Sequence, residues 1–248
     1  MLSRETSDYL ASKTLFKHCF IFNELDSTNN EAMKSTYPHY SLIIAEKQYA
    51  GKGRSGRKWV SDEGNLYFSI VLPPMPVEQL LPLNISTGYA ICDALRNYAD
   101  VSLKWPNDIV FNNKKLGGIL IETKFSGNIL EKIVLGIGIN VNQLDFSHDI
   151  KEIATSLAII TERQYRTEEI LWQILNNFEK NYTDLLKKRI DIIEKWCKYS
   201  MNFGKMIKIH LDGEKMELIE KGITDKGELI AVDHFGNERK IVLGDIYL

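Results

Sequence analysis

The sequence predicts an α+β fold in which helices flank a mixed central sheet, with a small all-β module after it. Three observations carry this. Most of the strand-like runs in the first part of the chain are joined by hairpin or turn signals, without the βαβ rhythm of a doubly wound sheet. Residues 77–98 and 167–186 read as helices, and near Phe203 the texture changes to short alternating runs separated by turns. The basic segment GKGRSG lacks both the glycine spacing of a dinucleotide fingerprint and the GK[ST] ending of a Walker loop, which argues against a Rossmann or P-loop fold.

The elements follow in order. FKHCFIFNEL, from Phe16, is a strand leading into DSTNNEAMKS, where Thr28 and Glu31 have capping-box spacing and set the start of a short helix. SLIIAEKQ from Ser41 is a second strand and delivers the chain into the basic loop AGKGRSGRKW. LYFSIVL from Leu66 is an aromatic and β-branched strand stopped by Pro73 and Pro74. Residues 77–98 form a helix, and VSLKWPNDIVF is two short strands interrupted at Pro106. LGGILIETKF and KIVLGIGINV make a hairpin with Gly127 and Asn128 in its turn. Helices are expected over 153–161, 167–186 and 190–199. The segment 203–248 has turn signals at Asp212-Gly213, Lys226-Gly227 and Gly236-Asn237. The expected division is therefore 1–202 and 203–248.

Composition narrows the function classes. The chain has 248 residues, 44% of them hydrophobic, and 31 Lys and Arg against 33 Asp and Glu, for a net charge of −2. No bulk positive field draws it to nucleic acid. Cys19, Cys92 and Cys197 contain no C-x-x-C pair and fit neither a disulfide framework nor a zinc site; they read as free buried thiols in a reducing, cytoplasmic setting. No apolar signal core and no membrane span is found.

The basic loop is therefore a local feature. Gly51, Gly53 and Gly56 let backbone amides approach an anion, and Lys52, Arg54, Arg57 and Lys58 supply charge, so the loop is either a small-anion site or a solvated turn. In VLGIGINV, strand alternation puts Gly136, Gly138 and Asn140 on one face; in KLGGILIE it puts Gly118 with Leu120 and Glu122. Such a bared face accepts a flat ligand or the close approach of another element. Asn107 and Asp108 either satisfy the turn at Pro106 or hold magnesium or a nucleotide.

Taken together, DSTNNEA, QYAGKGRSGRKW, KWPNDI, KLGGILIE and GIGINV, in this order, resemble the catalytic domain of the biotin protein ligases, and the C-terminal module resembles that family's SH3-like tail. The resemblance implies the class II aminoacyl-tRNA synthetase-like fold of biotin and lipoate ligases with a small C-terminal SH3-like β-barrel. It implies a two-step reaction: biotin's carboxylate attacks the α-phosphate of ATP to give biotinyl-5'-AMP, and a lysine of a biotin carboxyl carrier protein or domain then attacks the mixed anhydride. By resemblance, Lys115 bridges the carboxylate and α-phosphate, and Arg54 contacts the same region. Ser27, Thr28, Asn29, Gln48 and Gly51 line the biotin site, Gly118, Gly136 and Gly138 lie under the ring system, and Trp59 packs on the adenylate side. Asn107 and Asp108 are the candidate Mg2+ ligands, with Asp108 also a candidate proton acceptor or a partner for Lys115 or Arg54. The family commonly has arginine at the position of Lys52, and a lysine there keeps the charge but loses the fork.

The resemblance leaves a homodimer open. Fewer than thirty residues precede Thr28, so a DNA-binding repressor domain is not expected. The rival readings are a lipoate or octanoate protein ligase and, from another class, a nonenzymatic nucleic-acid-binding module.

Overall fold

A computed structural model describes residues 4–211 and 214–247. Its first sheet contains β1 (His18–Leu25), β2 (Ser41–Gln48), β3 (Leu66–Leu72), β4 (Ser102–Lys104), β5 (Asp108–Phe111), β6 (Lys114–Ser126) and β7 (Ile129–Ile139). They lie in the order β1-β2-β3-β7-β6-β5-β4. Only β1 and β2 run parallel; the remaining neighbours are antiparallel, so the sheet is mixed. A parallel pair needs a crossover, and here it carries the short helix α2 (Thr28–Ala32) across one face of the sheet.

The other face carries the main core. LYFSIVL is buried at every position, as a continuous apolar run in a central strand should be. Its Leu66, Phe68, Ile70 and Leu72 join one core cluster with residues of α3 (Leu80–Leu95), and α3 packs on α5 (Thr167–Leu186). The apolar stripe of α5, Ile170, Leu171, Ile174, Leu175, Phe178 and Tyr182, recurs at helical spacing and is buried. Each such side chain contributes about 1.5–3 kcal/mol on burial. On the opposite face Ala32, Ile43, Val71 and Val134 make a small second cluster under α2.

Several boundaries differ from expectation for identifiable reasons. A helix α1 (Arg4–Lys13), absent from the sequence reading, is largely polar and places Leu10 in the core. The helix expected from residue 77 begins as a 3-10 turn, Val77–Gln79. The one expected over 153–161 shortens to α4 (Leu157–Thr161), capped by Ser156 Oγ, which accepts the Ile159 N–H at 3.1 Å. Residues 153–155 are taken up instead by β6: Lys115 N–H donates to Ile153 O at 2.7 Å, and Thr155 N–H to Lys115 O at 2.9 Å. Asp191 caps α6 (Ile192–Tyr199), so the helix starts two residues later than residue 190. The capping box at Thr28 does not form. Ser27 is the N-cap, and Glu31 instead accepts from Lys34 and Tyr37.

The second sheet contains β8 (Met206–Leu211), β9 (Glu214–Ile223), β10 (Leu229–Val232), β11 (Glu238–Ile241) and β12 (Asp245–Tyr247), in the order β11-β10-β9-β8-β12. The turn expected at Asp212-Gly213 lies outside the described residues. The expected closed barrel is not formed: among the described residues β11 and β12 are the two edges and no ladder joins them. The four Cα steps from Ile241 to Asp245 reach about 14 Å, whereas five flat strands are about 19 Å across, so the sheet curls. It stops short of closure because both edges are short, and Glu238, Arg239 and Lys240 on β11 are exposed.

The second sheet meets α6 at a buried acid. Glu220 of β9 is inaccessible to solvent; its Oε1 accepts from Trp196 Nε1 at 2.9 Å and Ser200 Oγ at 2.5 Å, while Oε2 has no partner among the described residues. Burial pushes its carboxyl above the ordinary value, and the two hydrogen bonds offset this only in part. The folded chain therefore holds this proton more tightly than the unfolded chain. The resulting stability is present below the ordinary value of 4.5 and is lost as pH rises through the raised folded value. Glu220→Gln keeps the acceptor without the charge. At neutral pH it is expected to stabilise the protein by roughly 1–3 kcal/mol, with the gain shrinking toward acid pH. Denaturant melts across pH check this; a gain independent of pH, or a loss, contradicts it.

Candidate active site

After Gln48 the chain makes a small lobe and returns along itself. Gln48 pairs with Ser61 and Lys52 with Lys58 as bridges; Trp59 N–H donates to Gly51 O at 2.9 Å and Gly53 N–H to Arg57 O at 2.7 Å. The tip is a 3-10 turn, Arg54–Gly56, with Ser55 at φ 55° and Gly56 at φ 73°, a conformation that glycine adopts without cost. The lobe folds over the sheet: Lys52 Nζ lies 3.4 Å from Glu122 Oε1 on β6, and Arg54 Nη1 donates to Asn107 Oδ1 at 3.3 Å.

Under the lobe, the glycines of two strands come into register. Gly118 faces Gly138, and Leu120 faces Gly136, across β6 and β7. The protein's own side chains use much of this bared patch. The Trp59 indole rests on Gly118 and Gly138, where a Cβ at Gly138 would lie 2.7 Å from Nε1. Asn29 rests on Gly136, where a Cβ would collide with its amide. Asn29 Nδ2 donates to Glu122 Oε2 at 2.7 Å, and Ser69 Oγ donates to Asn29 Oδ1 at 2.6 Å. Gln48 Oε1 accepts the Thr28 N–H at 2.7 Å while its Nε2 reaches Ser61 Oγ at 2.9 Å, tying the α2 start to the base of the lobe. At the far end of this segment the buried Lys132 ammonium donates to the carbonyls of Ala32, Lys34 and Tyr37.

Lys115 reaches the same face through an irregularity. Between Ile109 and Val110 the β5–β6 register shifts, so that Gly117 pairs with Ile109 but Lys115 with Val110, leaving Leu116 as an extra residue. Leu116 turns into the core at this bulge, and Lys115 lies over Gly118, which a regular strand would put on the opposite face. Its Nζ is 2.6 Å from Asp108 Oδ1 and 5.2 Å from the centre of the Trp59 ring. Lys104 Nζ stands 3.3 Å from the other oxygen, Oδ2. Burial alone would push the Asp108 carboxyl up, but the ammonium groups of Lys115 and Lys104 outweigh it and hold the group below the ordinary carboxylate range.

These elements enclose a cavity of about 570 Å3. Among the residues singled out from the sequence, Gly51 and Gly56 do not line it; Gly51 packs behind, against Trp59 O, Ser61 Oγ and Gln48. Ser27, Thr28, Asn29, Gln48, Lys52, Gly53, Arg54, Arg57, Trp59, Asn107, Asp108, Lys115, Gly118, Gly136, Gly138 and Asn140 all do. Sequence reasoning missed the apolar wall of Phe146, Ile150 and Ile153, which carries no motif. It also missed Ile246 from β12, and Lys104, although the latter sits in KWPND. Six Lys and Arg side chains line the cavity against one carboxylate, a surplus of five positive charges in a chain of net charge −2. An anionic ligand with an apolar body suits such a space.

As magnesium ligands Asn107 and Asp108 fit poorly in this arrangement. Both Asp108 oxygens face ammonium groups, and Asn107 Oδ1 accepts from Arg54. Among the described residues no cluster of three or more His, Cys, Asp or Glu is placed to hold a metal. No helix among them is long and apolar enough to cross a membrane. Of the cysteines, Cys92 is buried whereas Cys19 and Cys197 are half-buried, so the expectation of three buried thiols holds for one.

Comparison with known proteins adds an independent line. Residues 21–140 match the model of the biotin/lipoate A/B protein ligase family. The bifunctional ligase/repressor BirA of Bacillus subtilis is 32% identical over 96% of this chain and 76% of its own length. The biotin–[acetyl-CoA-carboxylase] ligase of Mycobacterium tuberculosis is 27% identical over 83% of this chain and 77% of its own. Among solved structures, the biotin protein ligase from Aquifex aeolicus in complex with biotin and ATP superposes with a TM-score of 0.84 at 32% identity, covering 94% of this chain and 98% of that one.

The contact between Trp59 and the glycine patch is open to test. Gly138→Ala puts a methyl group against the indole, and overpacking of this kind costs roughly 1–3 kcal/mol. A lowered melting temperature with a shifted tryptophan emission is expected. An unchanged spectrum and stability would mean that the indole does not rest there.

Proposed function

This chain belongs to the biotin protein ligases of the biotin/lipoate A/B protein ligase family, and we propose that it activates biotin as biotinyl-5'-AMP and transfers it to a lysine of a biotin carboxyl carrier protein or domain. The observation that carries this reading is the Lys115 ammonium, fixed 2.6 Å from Asp108 over Gly118, in a cavity with a large positive surplus.

The chemistry calls for that surplus. In the first step a carboxylate oxygen of biotin bonds to the α-phosphorus of ATP, and the bond to the pyrophosphate oxygen breaks. Both reactants are anionic and the nucleophile is already ionised, so the protein's contribution is neutralisation and alignment. Lys115 is the cation closest to the strand faces, and we assign it the contact with both reacting groups. Arg54, directed by Asn107, brings a planar fork from the lobe, which suits carboxylate or phosphate oxygens. The lobe also screens the mixed anhydride from water. The Ser27–Asn29 turn, Gln48 and the glycine patch offer a polar end and a flat floor for biotin, while Phe146, Ile150 and Ile153 give the nucleotide an apolar wall.

In the second step the carrier lysine attacks the anhydride carbonyl, and AMP leaves as the amide forms. Asp108 is a poor base for this amine, because two ammonium groups hold its carboxyl low. Its role in this reading is to fix Lys115. Magnesium accompanies ATP as a charge screen, and no step here runs through Asn107 or Asp108 as its ligands. Free cysteines at 19, 92 and 197 agree with a reducing, cytoplasmic setting, and the net charge of −2 gives DNA no general attraction.

One assay tests the reading: AMP release and carrier mass are followed together with biotin, lipoate or octanoate, for the native chain and Lys115→Ala. Biotin-dependent AMP release and a carrier mass gain are expected, with the substitution slowing adenylate formation by roughly a hundred- to a thousandfold. Modification by lipoate or octanoate alone would replace the acid in this proposal, and full activity of Lys115→Ala would remove the lysine from the mechanism.

A further inference from the structure

We propose that Lys104 is a positioning residue for adenylate formation: by sharing the Asp108 carboxylate it leaves Lys115 able to turn toward the reacting anions. The inference rests on the biotin-activating reading above and assigns a part to a residue outside it.

Lys104 ends β4, directly opposite Asp108 in the antiparallel register. Its side chain is 11% exposed, yet it lines the cavity. The ammonium has two oxygen partners. It lies 3.3 Å from Asp108 Oδ2 and donates to the main-chain carbonyl of Ile246 at 3.3 Å. Ile246 belongs to β12, paired with β8 through Ile209, so the second sheet supplies the point that fixes Lys104. The same stretch of chain is docked there once more: Trp105 Nε1 donates at 3.1 Å to the carbonyl of Gly227, between β9 and β10.

Consider the charges. Two ammonium groups share one carboxylate, so the trio carries a net positive charge facing the cavity. Without Lys104 the remaining pair is neutral, and Asp108 Oδ2, in a side chain only 13% exposed, loses its partner. The carboxylate would then hold Lys115 with both oxygens, and drawing the ammonium off it toward substrate would expose a buried, uncompensated anion. Lys104 relieves this competition while touching no reacting atom in the proposed mechanism.

The test uses Lys104→Met, which keeps the apolar stem, and Lys104→Arg, which keeps the charge. Biotin-dependent adenylate formation is followed in single turnovers at saturating ATP. The methionine variant is expected to lower the saturating rate roughly ten- to a hundredfold, with the biotin concentration at half-rate changing less than about twofold. Arginine should restore the rate to within about fivefold of the native chain. Should Lys104→Met fail to fold, by calorimetry, Lys104→Gln reads the loss of charge with a polar head retained. A native rate in the uncharged variant, a loss that arginine does not rescue, or a loss confined to biotin affinity would overturn the proposal. A native chain that forms no adenylate would instead overturn the biotin-activating reading, and this inference with it.

Discussion

The ion pair between Lys115 and Asp108 is the contact on which the site depends, and it exists because β6 carries one residue too many. A regular strand from Lys115 to Gly118 would point the ammonium into the helical core, where no partner could repay its desolvation. The extra residue, Leu116, takes that inward place and is fully buried. Packing and electrostatics are thereby satisfied by the same irregularity. Burial of an aliphatic side chain on one face holds the cation in position on the other.

Around this pair the sheet is organised by what it lacks. Gly118, Gly136 and Gly138 leave room for Trp59 and Asn29 to lie close to the backbone, and each of these is fixed by a different part of the chain. Trp59 comes from the returning side of the basic lobe, and Asn29 from the crossover between the parallel strands β1 and β2. Glu122 joins the two, since one oxygen takes the Asn29 amide and the other faces Lys52. The lobe is thus attached to the floor of the site through long side chains, one of them at an exposed ion pair of small worth. Such an attachment permits a lobe to release ligand without disturbing the sheet.

Much of this is legible in the sequence. The strands of the first sheet, the hairpin at Gly127 and α5 follow from alternation, turn chemistry and spacing, whereas the gathering of the motif residues is implied only by the family resemblance. What was illegible had physical causes. The bulge at Leu116 is decided by pairing with β5, and period-two counting cannot register it. Residues 153–155 have helical composition but are taken by Lys115 backbone groups, so a tertiary contact overrides propensity. In the second sheet the turn signals at Lys226-Gly227 and Gly236-Asn237 fall between paired strands, yet whether a curled sheet closes depends on edge geometry that local sequence does not encode. Gly51 read as part of the ligand-facing set because its neighbours are, whereas its own place is fixed by contact with Trp59 and Ser61.

The link between the two sheets belongs to the same class of hidden information. Both side chains that carry the KWPND turn to the second sheet, Lys104 and Trp105, end on main-chain carbonyls, those of Ile246 and Gly227. A carbonyl acceptor leaves no trace in residue identity, because every residue offers one. The residue type at 246 can therefore change while the contact persists, whereas position 227 is held to glycine by its φ of 80° and by Ile85 and Leu81, which lie 2.8 and 2.9 Å from where a Cβ would stand. In Lys104 the anchoring bond and the bond to Asp108 leave from one nitrogen, so a displacement of β12 would be felt at the carboxylate that holds Lys115. The position of the second sheet is, by this geometry, an input to the charge balance of a cavity built on the first.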